Sequence, residues 1–560
     1  MKTTLIWVFS RTIFSMYTMK LFSAITGFLL LLSTGLNAQY QSDEVDFELG
    51  TPYEVVDAAN KIYFDYGEYT LSVKIKRDMA VVQRINLETL SEISRNTLEL
   101  PEDFRFIDIK KMQNKIVLFF RRVDKDLGIE QLWVKEINPE SGEWIGKEKV
   151  LVKFEGKIPS VDISFGYKGL ATTVSPTFFV KLSPDATKIL VYHKTDPVLK
   201  NNDKNFEKIG LYVFDDNYQR IQGDVVRMPH TESQMRIEDY HVNNKGYAYI
   251  IAAVGKAAPS RGGKTPTVTY NYQIFKKRPS SSALSSNTIS VDLGTKSIKS
   301  VSFYNDAGGD LQFVGSYGLS DKPDVYGLFS LKVDKNGDKY DEEYYAIPKK
   351  IINQYASERA KEKNEKAAND GLTLGLKNMY VREIIKHHDG SLVFICENRY
   401  SIVTVNTDLK SHKVETSERF YYRNLLMAKV DKSGRLIWMS QIPKRLISPV
   451  SVPYNTYKYG YKDGKHYVLF VENLGDKDKE PEDPLHSHFI GKHGVLSAYI
   501  IDDRLGKPKK LSVFETKEVN GIKLNKVMAH QFIYLGNGQF VFEAYKKKKE
   551  DILVKLTFKQ

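Results

Sequence analysis

A short phrase that recurs along the chain restricts its possible folds more than any other feature. It consists of an apolar strand, an Asp or Asn, a turn that often holds Gly, and a second strand. Four copies read Leu331-Lys-Val-Asp334-Lys-Asn-Gly337, Ala428-Lys-Val-Asp431-Lys-Ser-Gly434, Tyr499-Ile-Ile-Asp502-Asp-Arg-Leu-Gly506 and Tyr212-Val-Phe-Asp215-Asp-Asn. Looser copies are Lys135-Glu-Ile-Asn138-Pro-Glu-Ser-Gly142 and Gln83-Arg-Ile-Asn86-Leu-Glu-Thr. Asp and Asn begin turns because their side chains bond backbone amides two residues on, and Gly supplies positive φ. The copies lie tens of residues apart, so each marks a structural unit rather than an isolated hairpin.

Upstream of each copy runs a more apolar strand: Lys115 to Phe120, Ile189 to Tyr192, Tyr247 to Ala252, Ser391 to Cys396, Tyr467 to Val471 and Gln539 to Glu543. These runs do not alternate, which predicts strands covered on both faces, whereas the strands after the turns alternate and carry Lys or Arg. Six such units recur between Phe104 and Glu515, with a partial one at each chain end. Four-stranded sheets repeated around an axis protect their strand edges without disulfides. The expected fold is therefore all-β: a seven- or eight-bladed β-propeller of four-stranded antiparallel blades, filling residues 39–560 as one domain. The strand Asp551 to Phe558 needs partners, and the segment near Tyr53-Glu-Val-Val56 is expected to complete that last blade. A helical pattern between Lys349 and Leu376, with Ile351, Ile352, Tyr355 and Ala356 on one side, predicts one short helical insertion.

Two stretches resemble known propeller families. Leu182-Ser-Pro-Asp185-Ala-Thr-Lys-Ile-Leu-Val-Tyr192 resembles the S-P-D-G strand entry of exported propellers related to WD-repeats, with Ala186 in place of the usual Gly. Asp431-x-x-Gly434-x-x-x-Trp438 is similar to the docking turn of quinoprotein-type propellers. Each covers about a dozen residues and implies architecture, not chemistry.

The first 38 residues carry Lys2, Arg11 and Lys20 and no acidic residue, followed by the apolar run Leu21 to Leu32 and a small residue, Ala38. This describes a secretory signal peptide, starting at Met1 or Met19. The apolar run is shorter than the roughly 20 residues a spanning helix needs. Export to the periplasm or outside follows, and no cysteine stands in the leader to carry a lipid. Cys396, the single cysteine, sits in an apolar strand and reads as a small buried hydrophobe. Removing the leader lowers the net charge from +13 by three to +10, spread along the chain except at Lys546-Lys-Lys-Lys549. The compartment disfavours nucleic acid. With 34 Tyr and 29 Phe, an outer-membrane barrel is the rival fold, but the covered runs break the alternation that barrel strands require.

In a propeller, the loop between a blade's second and third strands shares a face with the link to the next blade. Long segments fall at these places: Thr195 to Asp203, Gly255 to Gly263, Asn398 to Phe420, Gly475 to His493 and the helical insertion. They are expected to gather on one binding rim, with Arg261, Tyr270, Tyr272, Tyr421 and Tyr422 as contact residues for a protein, peptide or glycan. His486, His488 and His493, with Glu480 nearby, form the sharpest metal-like pattern, because His-x-His in extended chain places both rings on one face. A solvated loop is the better reading of that spacing, which is common by chance. Asp334 to Asp338 lacks the Gly and the distal Glu of a calcium loop and reads as a turn. His387-His-Asp-Gly390 reads as a hairpin turn on the opposite face. No activated nucleophile and no cofactor motif is present. An exported binding scaffold is the first reading; a polysaccharide hydrolase or lyase with carboxylates in the central channel is the second, and a structural protein contacting an anionic envelope the third.

Overall fold

In the computed structural model, every Asp- or Asn-begun turn joins the third strand of a four-stranded antiparallel sheet to its fourth. The structure describes residues 40–58, 60–156, 158–159, 163–165, 172–174, 177–195, 204–257, 268–279, 284, 289–291, 296–305, 311–319, 324–334, 338–407, 414–452, 455–546 and 549–559. The turns are built as the sequence implies. Asn86 accepts from the amides of Glu88 (2.9 Å) and Thr89 (2.7 Å), Asp431 from Ser433 and Arg435 (both 3.0 Å), and Asp502 from Arg504 (2.9 Å) and Leu505 (2.8 Å).

Eight blades form the ring. The first comprises Asn60–Asp65, Tyr69–Ile75, Met79–Asn86 and Glu92–Glu99, so the N-terminal unit is a full blade rather than a partial one. Blades two to seven occupy residues 105–155, 179–231, 235–291, 296–346, 379–442 and 458–515. The eighth takes Ile533–Gly536, Gln539–Lys546 and Glu550–Phe558 from the C-terminus and Val45–Leu49 from the N-terminus as its outermost strand. The expected closing segment near Tyr53 is thus displaced: Tyr53–Glu54 adds only a two-residue pairing, at Asp551 and Glu550. Pro52 cannot donate to a ladder, whereas Val45, Phe47 and Leu49 alternate toward the core between blades seven and eight.

Packing explains the composition of each strand. Second strands are covered on both sides, and Ile116 to Phe120 are fully buried. Fourth strands vary: Lys339–Ala346 is largely exposed, whereas Leu436–Ile442 is mostly buried. Each neighbouring pair of blades encloses its own apolar cluster, and Cys396 lies fully buried in the one between blades five and six, where burial pushes its thiol up to about 12. The cluster at the closing seam is small, with six buried residues against twenty between blades seven and eight.

Both stretches fall at joints between strands. Ser183-Pro-Asp185 forms the entry to the second strand of blade three, where Asp185 accepts from Ser183 Oγ (2.6 Å) and the Thr187 amide (3.1 Å). Ala186 there has φ +55°, the conformation for which Gly is usual. Trp438 donates Nε1–H to the Asp503 carbonyl (2.8 Å) and lies against Gly506 in the next blade's turn. Gly506 has φ +66°, and a Cβ there would come within 2.5 Å of Trp438 Cγ. Gly506→Ala is therefore expected to lower stability by about 2–5 kcal/mol, combining left-handed strain with overpacking. Urea unfolding of this variant against the parent checks the value; a change below about 1 kcal/mol would show that the tryptophan dock bears little load.

Strand direction then sorts the connections. Because strands alternate in direction, turns between strands one and two and between three and four lie on one face of the ring. The second-to-third joints and the links between blades lie on the other. Apart from residues 278–288 in blade four, those on the first face are short, including the turn at His387 to Gly390. The other face carries the hairpin Ile163–Phe165 and Thr172–Val174, the helices α1 (Lys349–Asn353) and α2 (Glu358–Asn369), and the loop from Gly475 to His493. Ile352 of α1 is buried, as its position in the helical pattern implies. The Asn398-to-Phe420 segment is not an irregular loop: Leu392–Thr407 and Val414–Val430 continue as a two-stranded ribbon. Its run Ile402-Val-Thr-Val405 is β-branched throughout, which favours extended pairing over coil.

Candidate functional site

Innermost strands begin on the long-loop face, so polar residues in their first turns of sequence line the channel mouth there. Three of them contribute: Arg236 and Glu238 from Met235–Val242, Lys299, Ser300 and Val301 from Lys296–Asn305, and Tyr380 to Arg382 from Met379–Lys386. The base of the ribbon adds Arg399 to Ser401 and Phe420 to Tyr422. Together with Ser451 they enclose a cleft of about 670 Å³.

Its chemistry is cationic and aromatic. Tyr400 and Tyr421, paired across the ribbon, stack with centroids 4.9 Å apart and planes 6° from parallel. Arg423 lies 5.1 Å over the Tyr421 ring, and Arg399 lies 5.0 Å over Tyr422. Beneath the floor, Glu397 is fully buried and draws three cations: Lys444, which also donates to Thr456 Oγ1, Arg382 at 3.6 Å and Arg399 at 4.0 Å. Burial and the adjacent Arg399 guanidinium both push the Arg382 side chain below its ordinary range. Two guanidiniums thus crowd one carboxylate oxygen at the edge of an open cleft. Arg236 pairs with Glu238 at 2.6 Å on the far wall.

The predicted rim residues divide. Tyr421 lines the cleft. Tyr422 does too, but it is 1 % exposed and its hydroxyl accepts from the Val452 amide (2.7 Å), so it supports the wall rather than offering a ring. Tyr272, 3 % exposed, packs in the core between blades four and five and is not a rim residue. Tyr270 lies in the third strand of blade four, paired with Gly255. Arg261, with most of its loop, lies outside the described residues, as do residues 196–203 and 1–39.

The histidines do not converge. His486 is largely exposed and its Nδ1 meets Asp476 Oδ1 at 2.7 Å, while His488 is 4 % exposed and lines a small cavity with Thr456 and His530, where burial pushes its pKa down to about 4. His493 Nδ1 lies 3.3 Å from the Thr516 carbonyl. Only His488–Phe489 of this segment is strand, so the period-two argument that placed both rings on one face does not apply. Among the described residues, no group of three or more His, Cys, Asp and Glu side chains is arranged to hold a metal.

Sequence reasoning missed Arg236, Lys299, Arg382, Arg399 and Tyr400. A usable signal existed: an arginine or lysine near the start of an innermost strand, in MRIEDYHV, KSIKSVSFYN and MYVREIIK. Nothing local distinguishes it from an ordinary exposed strand position, because convergence on the channel is a property of the closed ring.

No protein-family model matches the chain, and no curated protein matches it in sequence. Solved structures resemble it in fold. The WD40 domain of SCAP from fission yeast is 8 % identical, with 94 % of this chain and 97 % of that one covered at a TM-score of 0.34. A prolyl endopeptidase is 9 % identical over 90 % of this chain, at a TM-score of 0.38, and the present chain spans 55 % of its length. A polysaccharide lyase that acts as an ulvan lyase is 9 % identical, covering 80 % and 92 % at 0.32.

Proposed function

We propose that the chain is an exported binding scaffold whose long-loop rim holds a protein, peptide or glycan outside the cytoplasm. The observation that carries this reading is the sorting of connections: with the exception of residues 278–288, the long insertions share one face, and the cleft of Arg and Tyr side chains opens at the channel mouth on that same face. Rigid blades with short turns on one side and elaborated loops on the other are how scaffolds present binding residues. The basic, then apolar, then small-residue N-terminus supports export. No helix among the described residues is long and apolar enough to cross a membrane.

The ribbon provides a clean test. Ser401 pairs with Phe420, so replacing residues 402–419 by an Asn-Gly turn shortens it in register. Ile402, Val403 and Val405 are 46 %, 56 % and 60 % exposed. Removing them is expected to leave stability within about 1 kcal/mol of the parent, since shorter loops and exposed positions cost little. Capture of envelope proteins and glycans on the immobilised chain is expected to fall about tenfold, the loss that follows when a contact patch is removed. Arg435→Ser, on the short-turn face, serves as the control and should leave capture unchanged. Equal loss in both variants, or in neither, overturns the assignment of the binding face.

A further inference from the structure

We propose that the cleft at the channel mouth recognises an anionic saccharide, a chain of sugar rings bearing carboxylate or sulfate groups. This inference rests on the binding-scaffold reading and assigns a ligand class to the same site. Three features of the lining point the same way.

The first is charge. Arg236, Lys299, Arg382 and Arg399 line the cleft against one carboxylate, Glu238. Arg399 and Arg382 approach the same Glu397 oxygen at 4.0 and 3.6 Å from the cleft side of the floor, so their charges are concentrated at one spot. An anion seated over them is favoured by both guanidiniums, whose planar forks match carboxylate and sulfate oxygens. Lys299, whose Nζ donates to the Leu319 carbonyl (2.7 Å), adds a further cation to the same lining.

The second is the flat surface. Tyr400 and Tyr421 form a stacked pair at the edge of the cleft, and Tyr380 is 43 % exposed beside it. Sugar rings present an apolar C–H face that packs on such rings, while their hydroxyls bond phenols and serines. Ser300, Ser401 and Ser451 supply those hydroxyls within the same lining.

The third is what the cleft lacks as a peptide site. Among the described residues, the aliphatic side chains in its lining are Val301 and Val381 alone. Peptide recognition depends on anchoring residues seated in pockets for most of its energy. A mouth that is broad, hydroxylated and cationic suits alternating rings and charges better.

Titration calorimetry of the intact mature protein with tetragalacturonate, sulfated chondroitin tetrasaccharide, methyl-esterified tetragalacturonate and hexaglutamate tests the proposal. At least one of the two anionic saccharides is expected to bind about tenfold or more tightly than the neutral ester, the factor a charged hydrogen bond supplies. Lys299→Gln and Tyr421→Ala are each expected to weaken that binding about tenfold while the circular dichroism spectrum and melting temperature stay at the parent values, since neither residue is deeply buried. Equal affinity for the ester, unchanged binding in both variants, or preference for hexaglutamate would each overturn the saccharide assignment. If neither anionic saccharide binds, this inference fails while the ribbon test still decides separately whether the rim is the binding face.

Discussion

Glu543→Gln is expected to destabilise the ring by about 3–5 kcal/mol, the cost of leaving a buried charge without its partner. The residue sits at the closing seam, where Lys74 Nζ (2.5 Å), Lys61 Nζ (2.9 Å) and the Tyr53 hydroxyl (2.7 Å) all donate to its carboxylate. Lys74 is fully buried, and beyond Glu543 the one carboxylate it pairs with among the described residues is Asp551, at 3.5 Å. Burial alone would raise the Glu543 carboxyl, but the two ammonium groups outweigh it and hold it near 2. A depressed carboxyl contributes stability that is present above pH 4.5 and lost as pH falls toward 2. Asp551 behaves oppositely. Burial and the neighbouring Glu543 raise it to about 6, so it takes up a proton on folding between pH 4 and 6. Its contribution therefore declines as pH rises through that window. Guanidinium unfolding of the parent and Asp551→Asn at pH 4.5, 5.5 and 7 should show the parent losing ground to the variant with rising pH. A flat difference would mean that the lysines keep Asp551 ionised throughout. Loss of less than about 1 kcal/mol in Glu543→Gln at pH 7 would show that Lys74 finds another outlet for its charge.

Deleting residues 40–49 is the second large perturbation. It removes the outermost strand of blade eight, which pairs with Val554 to Phe558 in full register and buries Val45 with parts of Phe47 and Leu49. Those side chains alone account for about 3–6 kcal/mol, and the exposed edge of Glu550–Phe558 becomes open to other chains. The apolar cluster between blades eight and one is small, with six buried residues around Tyr53 and Leu553, and the ion pairs of Lys61 and Lys74 with Glu543 and Asp551 are the other tie across that seam. Melting by circular dichroism should show a marked drop, and light scattering should show association. A synthetic peptide spanning residues 40–49 is expected to restore the parent melting temperature when added in excess. If the truncated chain melts within about 2 °C of the parent, closure by the N-terminal strand is not what stabilises the ring.

Particular residues show where reading from sequence works in this protein. Asn86, Asn138, Asp215, Asp334, Asp431 and Asp502 announce the outer turns because the capping bond lies within a few residues of its own donor. Covered runs such as Ile116 to Phe120 are legible for a similar reason: a strand buried on both faces has no exposed position to carry a charge. Tyr272 and His488 were misplaced because ring position depends on which blade faces which, and one-residue shifts in register reverse a side chain's direction. Tyr421 was found on the ribbon, but its partner Tyr400 was not, since nothing in sequence spacing reveals a pair 21 residues apart.

The amino-acid order alone determined that the chain forms repeated antiparallel sheets, where their outer turns fall, and which face carries the long connections. Each of those follows from local hydrogen bonding and period-two burial. Tertiary structure decided that there are eight blades, that Val45–Leu49 closes the last of them, and that arginines from separate blades meet beside a tyrosine stack. These outcomes depend on distances between residues far apart in the chain, which closing a ring sets and local sequence does not encode.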